Sequence, residues 1–143
     1  MAAKFYAVLD TNVLVSALYT GNTSSNPRQI LDLTLGGVIT PLLNLEISAE
    51  YFEVLSRDKF KFKPEDVDAL LEALGRMGID PGRTPANHVD FPDSKDIVFY
   101  EVAISKEGSF LVTGNTKHFP KEPIVVSPAR MLEIIRSSQE DSD

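Results

Sequence analysis

Residues 6–18 read YAVLDTNVLVSAL, an apolar run that stops at a carboxylate, Asp10, and resumes after Thr11 and Asn12. The run up to Leu9 has the length and composition of a short buried strand, and the stretch from Asn12 to Thr20 opens a helix. A carboxylate where a strand gives way to a helix has two readings. One is helix capping, worth about 1 kcal/mol, a job that Thr11 or Asn12 does equally well. The other follows from the fold. If the strand belongs to a parallel sheet, its carboxyl end is where open α/β folds place their ligands.

The rest of the chain fits such a sheet. Residues 38–43 (VITPLL), 109–113 (SFLVT) and 123–127 (PIVVS) are further strand candidates. Helical spacing is found over 28–37, from about Ser48 to Arg57, from Pro64 to Gly75, over 94–105 and over 127–136, where Ser127 is placed to cap and Pro128 to start the turn. Residues 78–93, rich in Pro and Gly, read as connection. Strands alternating with helices predict an α/β fold, with a mostly parallel central sheet of about five strands flanked by helices on both faces. The expected division is a single domain over 1–136 and an acidic, disordered tail over 137–143.

Composition narrows the chemistry. At 143 residues and 43% apolar content, the chain builds one core of useful size. It has no cysteine, which removes disulfides, thiolate metal sites and Cys nucleophiles and fits a reducing, cytoplasmic setting. Lys4 is followed only by the short run to Asp10, and no stretch approaches the ~18 apolar residues of a membrane span. A net charge of −7 argues against holding nucleic acid by bulk electrostatics. The exception is residues 56–63 (SRDKFKFK), where Lys59, Lys61 and Lys63 alternate with Phe60 and Phe62. Lysines interleaved with aromatics suit single-stranded nucleic acid; the ordinary reading is a solvated helix end with its Phe side chains turned inward.

Three more places carry polar groups with a choice of roles. Glu46, Glu50 and Glu53 form one stripe at i, i+4 and i+7, ordinarily a solvated face, and only Glu50 lies beside the apolar seam. Asp93 or Ser94 is placed to cap the next helix, which leaves Asp96 in its first turn, where the helix dipole favours a carboxylate. In residues 111–119 (LVTGNTKHF), a strand ends at Thr113, turns at Gly114 and presents Asn115. His118 there reads as a surface histidine, and two histidines in the chain leave little room for a zinc triad. Each role is ordinary alone. Together Asp10, Asp96 and the Thr113–Asn115 turn converge on one sheet edge, and carboxylates about 4 Å apart repel by ~4 kcal/mol unless a cation lies between them. Oxygen donors without Cys point to Mg²⁺ or Mn²⁺.

These segments resemble the PIN-domain ribonucleases, especially the VapC-like toxins of toxin–antitoxin pairs. LDTNVLVSAL (9–18), SAEYFEVLSRDKF (48–60), DFPDSKDIVFYEVA (90–103) and FLVTGNTKHFP (110–120) are similar to the family's four motifs, in order. The resemblance implies that Asp10, Glu50 and Asp96 hold the metal, with Asn115 as a further ligand. Thr11, Asn12, Asp93 and Thr113 then support the pocket. It departs at Asn115, where many members carry a fourth Asp, so the expectation is one firmly held ion and a second that depends on substrate. The implied activity is hydrolysis of RNA by water activated at the ion, leaving 5′-phosphate and 3′-hydroxyl ends. Lys59, Lys61, Lys63, Lys117 and Lys121 are the candidates to guide the RNA. A homodimer and a small antitoxin are the implied partners. The alternatives are a catalytically weak or inactive PIN domain serving as an RNA-binding or partner-binding scaffold, a dehalogenase-like phosphatase and a phospho-receiver. The phosphatase lacks its second Asp, because Asn12 stands there, and the receiver its acidic pair, because Leu9 precedes Asp10.

Overall fold

The computed structural model describes residues 4–87 and 89–141; residues 1–3 of the expected domain, His88 in the connection, and 142–143 of the expected tail lie outside them. β1 (Phe5–Leu9) is followed by α1 (Thr11–Tyr19), α2 (Asn26–Leu35), β2 (Ile39–Pro41), α3 (Leu45–Leu55) and α4 (Pro64–Met77). Then come α5 (Ile97–Ala103), β3 (Phe110–Val112), β4 (Val125–Val126) and α6 (Pro128–Asp141). The strands form one sheet in the order β2-β1-β3-β4, every pair parallel. From β1 the chain goes first to β2 on one side and later to β3 on the other. The strand order therefore reverses between β1 and β3, and their carboxyl ends flank the crevice.

Successive strand residues point to opposite faces, yet Ala7, Val8 and Leu9 are all fully buried. Both faces of the sheet are therefore covered, which is why β1 reads as continuous apolar sequence rather than as alternation. α5 packs on β1 and β3, α2 joins α1 to α6, and α3 packs on α4. Leu14, Ile30, Ile47, Leu55, Phe99 and Met131 fill the space between these layers.

Four strands, rather than the expected five or so, form the ladder among the described residues. Beyond β2 there is only an isolated parallel bridge, Leu42 to Ile79. The chain cannot extend it: Pro81 has no N–H to give, and Gly82 turns away at φ +95°, its N–H held by Asp80 Oδ1 at 2.9 Å. Helix boundaries shift for equally local reasons. α3 starts at Leu45, earlier than expected, because the Asn44 side chain accepts from Ile47 N at 2.9 Å and caps it there. It ends at Leu55, so the basic stretch 56–63 is a loop with a 3-10 turn at Asp58–Phe60 rather than a helix end. The helix expected from residue 94 divides into a 3-10 turn, Ser94–Asp96, and α5. α6 continues through Asp141, into the segment read as tail.

Candidate metal centre at the strand switch point

Asp10 occupies the N-cap position of α1, but its side chain makes no capping bond. Its Oδ2 instead accepts from Asn12 Nδ2 at 3.2 Å and from Thr113 Oγ1 at 2.8 Å. The capping reading of this carboxylate therefore fails. Its backbone N–H donates to Val112 O at 2.9 Å, which registers it against the end of β3. Only 8% exposed, the carboxyl is pushed up from its ordinary pKa by burial. Thr113, the adjacent Thr11 N–H and His118 pull it back, and Glu50 adds to the rise.

The turn after β3 interlocks with the start of α1. Asn12 Oδ1 accepts from Gly114 N at 3.0 Å while its amide donates to Asp10, so one side chain spans both motifs. Thr113, fully buried, accepts from Asn115 N at 3.0 Å as it donates to Asp10. Beneath Asp10, the buried Tyr51 hydroxyl of α3 donates to the Leu9 carbonyl. Burial, and next the charge of Asp10, push the phenol's pKa up and keep it a donor.

Asp96 approaches from the 3-10 turn, which Asp93 holds by accepting from Lys95 N at 3.0 Å. Its side chain is 15% exposed, and Oδ2 has no hydrogen-bond partner; His118 Nδ1 stands 3.6 Å away. Burial first, then the charges of Asp10 and Asp93, raise its pKa to about 6, with His118 opposing and Glu50 adding. The Asn115 amide lies 3.0 Å from His118 Nε2. With that amide donating, the ring proton is on Nδ1 and faces Asp96.

The expected ligand set is brought together only in part. Asp10 and Asp96 share the crevice, and Glu50 is near enough to influence both electrostatically. Glu50 itself is half-buried and lines a neighbouring cleft of about 190 Å³ with Glu46, Arg83, Ser94, Lys95 and Val98. Among the described residues no three His, Asp or Glu side chains are close enough to hold an ion jointly. Two acids still fit a hard cation, because Mg²⁺ keeps several waters and takes one or two carboxylates. Among the described residues the two buried side-chain polar atoms lacking a partner, Asp96 Oδ2 and Thr11 Oγ1, both belong to this region.

The five lysines do not make one patch. Lys59 lines a cleft with Tyr19 and Phe60, Lys61 another with Arg57 and Phe62, and Lys117 and Lys121 a third beside Phe119. Lys63 is exposed at the N-cap of α4.

Three contributors escaped the sequence reading: Tyr51, His118 and Arg83. Tyr51 is buried in the core, yet its hydroxyl serves the site, and His118 is exposed, as its sequence context implies, yet also faces Asp96. Arg83, inside the Pro- and Gly-rich connection, sends Nη1 to both Glu46 oxygens at 2.7 and 2.8 Å and Nε to Glu101 Oε1 at 2.6 Å. Glu101 Oε2 also accepts from Ala86 N. A charged residue in the middle of the apolar run IVFYEVA was the available signal, since a buried carboxylate requires a partner.

A comparison with curated proteins finds no matching sequence. A family model described as PIN domain matches residues 6–117, most of the chain, including Asp10, Glu50, Asp96 and Asn115. The chain belongs to the PIN-domain family.

Proposed function

We propose that this protein is a Mg²⁺- or Mn²⁺-dependent endoribonuclease, the toxin component of a toxin–antitoxin pair. The observation that carries the nuclease reading is the Asp96 oxygen buried beside Asp10 without a hydrogen bond, at the reversal point of a parallel sheet. Asp10 and Asp96 are the residues to hold the ion, with Asn115 completing the site through its carbonyl and Glu50 contributing negative charge from the rim. When bound, the ion offsets the paired carboxylates, lowers the pKa of water and stabilises charge on the phosphate being attacked. The chain's own residues set the geometry. Thr113 and Asn12 hold Asp10, Tyr51 anchors the backbone under it, and Asp93 holds the turn that carries Asp96, with His118 beside its Oδ2. Lys117 and Lys121 lie in the segment that follows Asn115 and suit the substrate's phosphates.

Hydrolysis by water leaves 5′-phosphate and 3′-hydroxyl ends, with no need of the 2′-hydroxyl. The test is cleavage of structured RNA with Mg²⁺ or Mn²⁺, end analysis of the products, and loss of cleavage in Asp10→Asn at unchanged circular dichroism. Recovery of 2′,3′-cyclic phosphate would refute the mechanism. The toxin assignment predicts growth arrest on expression, relieved by Asp10→Asn. Its partners are a second copy of the chain and a small antitoxin whose basic side chain suits the acidic crevice.

Two observations favour a second reading, an inactive scaffold that binds RNA or a protein: Asn115 brings no charge, and no three-ligand group is present among the described residues. RNA binding without cleavage at saturating Mn²⁺ would select it.

A further inference from the structure

Between the carboxyl end of α1 and the basic loop lies a cleft of about 660 Å³ lined by Val15, Ser16, Tyr19, Thr20, Lys59 and Phe60. Two of these six side chains, Tyr19 and Phe60, are aromatic. Phe60 stacks on Phe62 (5.6 Å, 13°), and Tyr19 meets both rings edge-on at 6.1 and 6.4 Å. Tyr19 is 66% exposed, a large apolar surface left in water. Lys59 Nζ lies 5.1 Å from the centre of the Phe60 ring, and Lys61 and Lys63 follow on the same loop.

α1 connects this cleft to the acid crevice. Asn12, which hydrogen-bonds Asp10, and Val15, Ser16 and Tyr19 are accessible at i, i+3, i+4 and i+7, one continuous face of the helix, and Thr20 follows at its C-cap. At 1.5 Å per residue, Tyr19 lies roughly 10 Å along the axis from Asn12. Resting on the nuclease reading above, we infer that this cleft is a subsite for one unpaired base of a single-stranded RNA whose scissile phosphate lies at Asp10 and Asp96. The base stacks against Tyr19 and Phe60, and Lys59 leaves the Phe60 face to meet the adjoining phosphate. An RNA is the occupant that this charge pattern suits: the protein is acidic overall, yet Lys59 lies over the Phe60 ring and Lys61 and Lys63 follow it on the same loop. An apolar protein segment would use the rings and leave the lysines without a role.

The probe is a short oligoribonucleotide carrying 2-aminopurine at successive positions, whose fluorescence falls when the base stacks. It is titrated into the full chain in EDTA, so that binding is read without cleavage. The expected result is quenching at one position a few nucleotides from the cleavage site. Tyr19→Ala and Phe60→Leu should abolish the quench and weaken binding about tenfold, while Tyr19→Phe restores both. Thermal unfolding of each variant separates this effect from loss of fold. Equal quenching in wild type and variants, or none at any position, overturns the subsite and leaves an apolar protein segment as the cleft's occupant. The two readings fail separately. Quenching without Mg²⁺-dependent cleavage removes the nuclease and keeps the subsite, whereas cleavage with KM unchanged in both variants removes the subsite and keeps the nuclease.

Discussion

Thr113 Oγ1 lies 2.8 Å from Asp10 Oδ2 and donates to it, joining the ends of β3 and β1 across 103 positions of sequence. This hydroxyl is the strongest opponent of the burial that raises the Asp10 pKa. Thr113→Val keeps the shape and removes the donor. The fold should lose about 1 kcal/mol, and Mn²⁺ affinity at neutral pH should fall about tenfold, with Thr113→Ser close to wild type. Calorimetric titration with Mn²⁺ checks it; a Val variant binding as tightly as the parent means the hydroxyl does not set the charge of Asp10.

Tyr51 acts one residue earlier, on the Leu9 carbonyl. Tyr51→Phe strands that buried acceptor, a loss of about 1–3 kcal/mol. Urea unfolding measures it. Because the hydroxyl fixes the backbone that carries Asp10, cleavage should decline as well, and a variant as stable as wild type would show that the carbonyl is satisfied otherwise.

Asp96, with its pKa raised to about 6, links the crevice to pH. A carboxyl that binds its proton more tightly folded than unfolded makes the metal-free protein more stable as pH falls from about 7 towards 4, since in that window the native state holds more protons. After discounting for solvent screening, the gain is on the order of 1 kcal/mol. Asp96→Asn should flatten the dependence and raise the metal-free melting temperature at pH 7 while weakening Mn²⁺ binding. Mn²⁺ should bind wild type progressively better from pH 5 to 7. A metal-free protein whose stability instead rises with pH through this window contradicts the assignment.

The parts of this molecule legible in sequence are those governed by short-range chemistry. β1 announces itself because a strand covered on both faces must be apolar throughout, and Asp10 stands out against that run. The Thr113–Asn115 turn was legible for the same reason, a strand followed by a hydroxyl, a glycine and an amide. Partners distant in sequence were not. No periodicity reveals that Tyr51 reaches Leu9, that His118 faces Asp96, or that Arg83 reaches α3 and α5 from an irregular connection. Glu50 marks the boundary: helical spacing puts it beside the apolar seam, but its place in a neighbouring cleft depends on how α3 packs, which spacing does not reveal.

Lys117 and Lys121 share the cleft beside Phe119, in the segment directly after Asn115. Replacing both by Glu should raise KM for RNA about tenfold or more and reduce the slope of log affinity against log salt by about 2, one unit per lost phosphate contact. Both are surface positions, so melting temperature should hardly move. An unchanged salt slope would place the RNA elsewhere.

Arg83 tests how the connection over 78–93 is held against the site. Glu101 is 6% exposed; burial alone would raise its pKa, but Arg83 and the Ala86 N–H outweigh it and hold the carboxyl below its ordinary value. The pair therefore stabilises the fold above the unfolded carboxyl's pKa, and the contribution is lost as pH falls through the lower folded value. Arg83→Met reverses the sign. It leaves Glu101 buried without its cation, which costs about 2 kcal/mol at pH 7, less than a fully buried pair because the guanidinium is partly solvated. The variant should then regain stability on acidification, as Glu101 takes up a proton. Adding Glu101→Gln should recover much of the loss at pH 7, since a neutral amide still accepts from Ala86 N and carries no unpaired charge. If the double variant is no more stable than Arg83→Met alone, the uncompensated carboxylate is not what destabilises the single variant, and the bonds from Arg83 to Glu46 across to α3 are what the connection depends on.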